Sequence, residues 1–367
     1  MMINEALHSD LAVPPGEYLE EVIEALGMSK NELAKRMDRP AAKLSAIFSG
    51  DKAITPETAL QLERVVSVPA HVWMGLESEY RLVLARQTEQ EEEERLNSET
   101  HLVKDYCYAA LANRGYVDKK TKPIDKVREL LSFFGVTSLE NIPSIKRYQV
   151  AFRSSQSQKH KRSPEALIAW LRIGEVVGTK TRCAPFNKTA LREIIPVIRK
   201  LTTLSPEESI PMLETMLSDV GVVLVLCQHL SRTYAHGATF WLGSNKAVLM
   251  LSLRGSWADI FWFSLLHELG HILLHSKRSV FIDGKEGMED DETAEKEADQ
   301  FASNALLPID LFQAFALEGE FYANDIEGFA ARIDVHPGIV VGRLKHHNLI
   351  QQSWHNGLRV QYEFTNC

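Results

Sequence analysis

The chain has 367 residues, 45% hydrophobic and 25% charged, which is too long for one ordinary core and points to two or three soluble domains. Its formal net charge of -8 disfavours non-specific nucleic-acid binding by the whole molecule, though not by a local patch. No apolar run approaches the roughly 20 residues that span a bilayer, and MMINEALHSDLAVPPG lacks the basic stretch and apolar core of a secretory signal, so no membrane partner is expected. Cys107, Cys183, Cys227 and Cys367 are scattered, with no Cys-x-x-Cys pair. That excludes a cysteine zinc site and a disulfide framework, and fits a reducing cytoplasm.

The first 80 residues read as short helices. GEYLEEVIEALG sets Leu19, Val22, Ile23 and Leu26 on one helical face, with Gly27 as the stop. Ser29-Lys30-Asn31-Glu32 is a capping box opening SKNELAKRM. A third helix starts near Pro40 with Leu44, Ile47 and Phe48 inward, and Thr55-Pro56-Glu57 starts a fourth. Glu79 to Leu96 is charged and helix-prone without an apolar face, as expected of a solvated connecting helix. The region to Leu204 is again helical in composition, with a basic, Ser/Gln-rich loop from Lys146 to Arg162. From Gly221 the texture changes: GVVLVLCQHL and KAVLMLSLR read as buried strands. The second of these is also a candidate edge strand on which a substrate peptide could add. Two helices follow, Ser256 to Ser276 and about Asp291 to Leu307, stopped by Pro308. The tail DIEGFAARIDVHPGIVVGRLKHHNLI reads as helix, break, helix.

Within FWFSLLHELGHILLH, His267 and His271 stand four residues apart with Glu268 beside the first. Such a pair lies about 40° apart on one helical face, one turn up, and can grip one ion. Zinc needs a third protein ligand and an open position for water, whose pKa then falls to about 7. Glu268 is the candidate base for that proton. His275 is about 12 Å along the axis from His267 and cannot share the same ion. It also falls two residues short of the spacing in His-Glu-x-x-His-x-x-Gly-x-x-His. The next helix offers Asp291, Glu292, Glu295, Glu297 and Asp299. Glu295 and Asp299 share a face, so Glu295 could bind zinc while Asp299 accepts a ring N–H; Glu297 is the weaker choice. Burying two histidines and a glutamate at this spacing without partners or metal would be costly. Tyr234, His236 and Arg254 are candidate oxyanion stabilisers.

HELGHILLH, EKEADQFASNALLP and RGSWADIFWF resemble the ImmA/IrrE family of zinc metallopeptidases. The resemblance implies a zincin-like domain with His267, His271 and Glu295 as zinc ligands, Glu268 as catalytic base and Asp299 behind a ligand. Family members cut a helix-turn-helix repressor. The stretch from PGEYLEEVIEALG to VPAHVWMGLE resembles the HigA/VapI-type antitoxins, helix-turn-helix proteins of the Xre class. The segment from Ala169 and the tail HPGIVVGRL resemble long regulators joining both units. Residues 29 to 52 carry six basic and three acidic side chains, but 1 to 80 carry seven and thirteen. DNA contacts are therefore expected from Arg39, Lys43 and Lys52, weak and salt-sensitive.

The expected fold is mainly α with a small β-sheet (α+β). Expected domains are an all-α helix-turn-helix domain (1–80), a charged helical linker (81–100), a helical middle domain (101–205), a zinc metallopeptidase domain (206–320) and a helix-turn-helix-like segment (321–367). The expected function is a cytoplasmic, homodimeric zinc endopeptidase coupled to a DNA-binding transcriptional regulator, acting on a repressor-type protein or on itself, with an operator DNA. The alternative is a non-catalytic regulator or antitoxin whose peptidase-like domain senses a partner such as a cognate toxin.

Overall fold

The computed structural model describes residues 11–149, 163–252, 257–275, 281–282 and 289–363. The protein is mainly α with a small β-sheet, and it divides into two units, Met1–Ser98 and Glu99–Cys367.

The first unit holds α1 (Pro15–Ala25), α2 (Lys30–Arg36), α3 (Ala41–Phe48), α4 (Pro56–Val66) and α5 (Ala70–Ser98). Ser29 caps α2 by accepting from the Glu32 N–H, and Thr55 caps α4 by accepting from the Thr58 N–H, as side-chain oxygens at this position do. Leu19, Ile23, Leu33, Leu44, Ile47, Leu62 and Trp73 form the core. Leu26 is the exception to the periodic pattern. It is the C-cap of α1 and 54% exposed, while Met28, beyond the left-handed Gly27, turns into the core. The long helix α5 belongs to this unit: Glu77 is buried and accepts from the Ile54 N–H at 2.9 Å, and Arg81 donates to the Gly50 carbonyl. From Arg86 to Arg95 every side chain of α5 is exposed, which accounts for the acidic run in its sequence.

The second unit continues with α6 (Tyr108–Asn113), α7 (Pro123–Phe134), α8 (Pro164–Lys180), α9 (Lys188–Lys200) and α10 (Pro206–Asp219). The strands are β1 (Val222–Leu226), β2 (Gly237–Trp241), β3 (Ala247–Leu251) and the two-residue β4 (Phe281–Ile282). The sheet order is β1-β3-β2-β4, with β1 parallel to β3 and β2 antiparallel to both β3 and β4. β3 therefore lies inside the sheet, with Leu249 paired to both Leu224 and Thr239. This corrects the expectation of a free β3 edge for a substrate peptide. A strand apolar at every position, Ala-Val-Leu-Met-Leu, is covered on both faces and both sides.

The helices α11 (Ala258–Leu274), α12 (Glu289–Leu306), α13 (Ile309–Glu318), α14 (Ala323–Arg332) and α15 (Pro337–His346) complete the chain. α11 runs through the core, with Trp262, Leu265, Leu266 and Leu269 fully buried against the sheet and the C-terminal helices. The tail clasps its first turns. Arg359 forms a forked pair with Asp259 at 2.8 and 2.9 Å, and the Trp262 indole N–H donates to the Tyr362 hydroxyl at 3.0 Å. Among the described residues no helix is long and apolar enough to cross a membrane.

His336 caps α15, its Nδ1 accepting from the Gly338 N–H at 3.0 Å. Burial holds this imidazole below its ordinary pKa against the opposing pull of Asp259. The unfolded chain binds the proton more readily, so the contribution is complete above the unfolded value of about 6.5 and is lost as pH falls through the folded one. Protonation also removes the acceptor. His336→Asn keeps a capping oxygen, and the fall in Tm from about pH 7 to about pH 5 should be shallower in this variant than in the parent. Parallel pH–Tm curves would show that the cap does not titrate.

Candidate metal centre

A helix that is apolar nearly all round carries three polar side chains into the interior. His267, Glu268 and His271 are 3%, 0% and 2% exposed. The 3.6-residue repeat puts the two imidazoles one turn apart, with their Nε2 atoms 2.9 Å from each other. The second helix reaches the same point because Gly270 has no side chain. A Cβ there would lie 3.2 Å from the Ala298 Cα and 3.1 Å from the Phe301 ring, so α11 and α12 meet almost backbone to backbone. Glu295 then places its carboxylate oxygens 3.2 Å from the His267 Nε2 and 3.7 Å from the His271 Nε2.

Zinc arms of about 2.0–2.1 Å set tetrahedral donor atoms about 3.3 Å apart. The three separations bracket that edge, and His267, His271 and Glu295 form a metal-compatible cluster. The tautomers agree with it. Asp299 faces the His267 Nδ1 at 2.9 Å; a carboxylate only accepts, so Nδ1 carries the proton and Nε2 presents a lone pair. The His275 Nε2 faces the Glu297 carboxylate at 3.1 Å, and its Nδ1 faces the His271 Nδ1 at 3.1 Å. Glu297 thus puts the His275 proton on Nε2, the His275 Nδ1 accepts from the His271 Nδ1–H, and the His271 Nε2 is left as a lone pair. Two ring lone pairs aimed at one point beside a carboxylate are a donor set for a cation.

Electrostatics keep the donors in ligand form. Burial lowers the His271 pKa, only partly opposed by the negative charge of the neighbouring Glu295. For Glu295 burial acts upward, but the adjoining imidazoles of His267 and His271 prevail and bring it down to about 2. A neutral imidazole and an ionised carboxylate are what a metal takes up.

The structure thus brings together three of the residues singled out in the sequence, His267, His271 and Glu295, with Asp299 behind His267. Glu297 reaches His275 instead of the cluster, and Glu292 pairs with Lys296 on the exposed side of α12. Tyr234 and His236 lie on the loop entering β2, immediately before Gly237, which packs on Glu268. Arg254, the Asp291 side chain and residues 150–162 of the basic loop lie outside the described residues. Lys43 and Lys52 are exposed, whereas the Arg39 Nε donates to the Gln61 side chain at 2.7 Å. Sequence reasoning missed the His275–Glu297 pairing and Gly237. The first had a signal in the fourth-residue repeat His267, His271, His275; the second had none that was local.

A five-helix unit followed by a mainly α domain that carries a metal-compatible His-His-Glu cluster is the class that this fold and site define. Residues 240–345 match the family model Peptidase_M78, the IrrE N-terminal-like domain. The chain is 34% identical over 80 residues to virulence-associated protein I of Dichelobacter nodosus, covering 22% of this chain and 74% of that protein. It is 30% identical over 74 residues to the uncharacterized HTH-type transcriptional regulator YddM of Escherichia coli (strain K12), covering 20% and 79% respectively. A solved addiction module antidote protein of the HigA family from Coxiella burnetii shares 32% identity, covering 23% of this chain and 91% of that one, with a TM-score of 0.21. The likeness to the IrrE N-terminal-like domain falls in the second unit, and the chain belongs to the family of virulence-associated protein I through its N-terminal part.

His275→Ala should weaken metal binding at this cluster about 10–100-fold, the usual effect of losing a partner behind a ligating histidine. Glu297→Ala should weaken it by less, and Glu297→Gln, which retains an acceptor, by least. Chelator competition measures all three, and parental affinity in His275→Ala would refute the relay.

Proposed function

We propose that the chain is a zinc endopeptidase coupled to a DNA-binding regulator, cleaving a repressor-type partner or itself to control gene expression. The observation that carries this reading is the convergence of the His267, His271 and Glu295 donor atoms, two of them on the helix that also buries Glu268. When bound there, zinc supplies Lewis acidity toward a carbonyl oxygen and lowers the pKa of water to about 7. Glu268 takes the proton of the attacking water and returns it to the leaving amine. Asp299 and the His275–Glu297 pair hold the two imidazoles in the tautomers that present Nε2. Tyr234 and His236, on the loop leading to β2, are the proposed donors to the developing oxyanion. Free cysteines, Cys107, Cys183 and Cys227 among the described residues, fit a cytoplasmic setting.

The exposed Lys43 and Lys52 of the helix-turn-helix unit support a DNA partner, whereas Arg39 is tied to the Gln61 side chain. The exposed face of α3 is otherwise Ala41, Ala42 and Ser45. Few base-reading side chains leave affinity to phosphate contacts and make it steeply salt-dependent. The names of the helix-turn-helix relatives favour a second reading, a regulator or antitoxin that dimerises, binds DNA or a toxin, and uses the peptidase-like domain to sense a partner without turnover.

Glu268→Gln should leave zinc content at the parental level and abolish cleavage, read on a quenched-fluorescent peptide library and as self-cleavage. His267→Ala should lose both metal and cleavage. Undiminished hydrolysis by Glu268→Gln would remove the base from the mechanism. If neither parent nor variant cleaves and both shift an operator fragment, the second reading replaces the first. Tyr234→Phe should lower kcat about 10²–10³-fold if Tyr234 serves the oxyanion; parental kcat would dismiss it.

A further inference from the structure

Gly237 opens β2 opposite Leu251 and is fully enclosed by its neighbours. Its backbone is not in the left-handed region, so nothing in the chain's local conformation asks for glycine, and a strand interior ordinarily disfavours it. The reason lies across the sheet. A Cβ at this position would stand 2.4 Å from the Glu268 Oε1, 2.8 Å from its Cγ and 2.9 Å from its Cδ. These three nearest atoms all belong to one side chain, the one that the sequence sets between the two histidines.

We propose that Gly237 is a positioning residue whose missing side chain forms the seat of the Glu268 carboxylate. The seat is selective in what it controls. His267, His271 and Glu295 are carried by α11 and α12, whereas Glu268 packs on β2 at Gly237. A methyl group at 237 would push the carboxylate about 1 Å toward ordinary van der Waals separation, a displacement that costs about 10²-fold when it misplaces a reacting group. The contact falls on the far end of a flexible side chain, so Glu268 moves before the strand does. The proposal about the seat is structural; its effect on turnover rests on the reading of Glu268 as the base.

The test is a double-substitution cycle with two independent readouts. Gly237→Ala should keep parental zinc stoichiometry, lower kcat on the peptide library about 100-fold and leave KM nearly unchanged. Added to Glu268→Gln it should lower activity no further. In thermal unfolding, Gly237→Ala should lower Tm when Glu268 is present and leave it unchanged or raise it in the Glu268→Ala background, where the methyl enters vacated space. An equal loss of Tm in both backgrounds overturns the seat, and parental kcat in Gly237→Ala, with Glu268→Gln inactive, overturns its control of the base. Should Gly237→Ala fail to fold, recovery in Gly237→Ala/Glu268→Ala supports the seat and continued failure overturns it. Were the parent inactive on every substrate, the peptidase reading would fall, and the Tm cycle would still decide the seat.

Discussion

The rest of the second unit depends on one constraint: two imidazoles and a carboxylate must be held inside a helix that is otherwise apolar. Polar groups removed from water need partners, and here the partners come from three directions. α12 supplies Glu295 and Asp299, the end of α11 supplies His275 with Glu297 behind it, and β2 makes room for Glu268. The carboxylates of α12 can be delivered only because α11 and α12 lie nearly backbone to backbone, which Gly270 permits.

The two histidines are held by different means. His267 has a carboxylate directly at its Nδ1, whereas His271 reaches one through a second imidazole. Both routes end on acidic side chains of α12, two residues apart and on different faces, so a single helix orients both rings. That gives a physical role to the acidic stretch of α12, in which only some of the carboxylates approach the metal position. The clasp of Arg359 and Tyr362 on the first turns of α11 steadies the other end of the same helix, and the sheet covers its flank.

The first unit obeys simpler rules. Its helices follow the 3.6-residue repeat and their caps are local hydrogen bonds, so nearly every element was legible in order. The difference at Leu26 has a local cause as well, since the chain leaves the helix one residue before the periodicity does and Gly27 turns Met28 inward. Likewise the charged run after Glu79 reads as a solvated helix because its side chains are exposed, but the buried Glu77 that ties α5 to the Ile54 N–H carries no sign of that bond in its spacing.

By itself the sequence determined whatever depends on residues within about two turns of one another: the helices and their caps, the two buried strands, the His267–Glu268–His271 constellation, and the shared face of Glu295 and Asp299. Only the tertiary structure decided that β3 lies inside the sheet, that Glu297 answers His275 and not the cluster, and that Gly237 lies against Glu268. Helical and strand periodicity say which side chains share a face, but not which other face arrives opposite. That depends on how closely two backbones approach, and in this chain the approach is set by side chains that are absent, at Gly270 and Gly237.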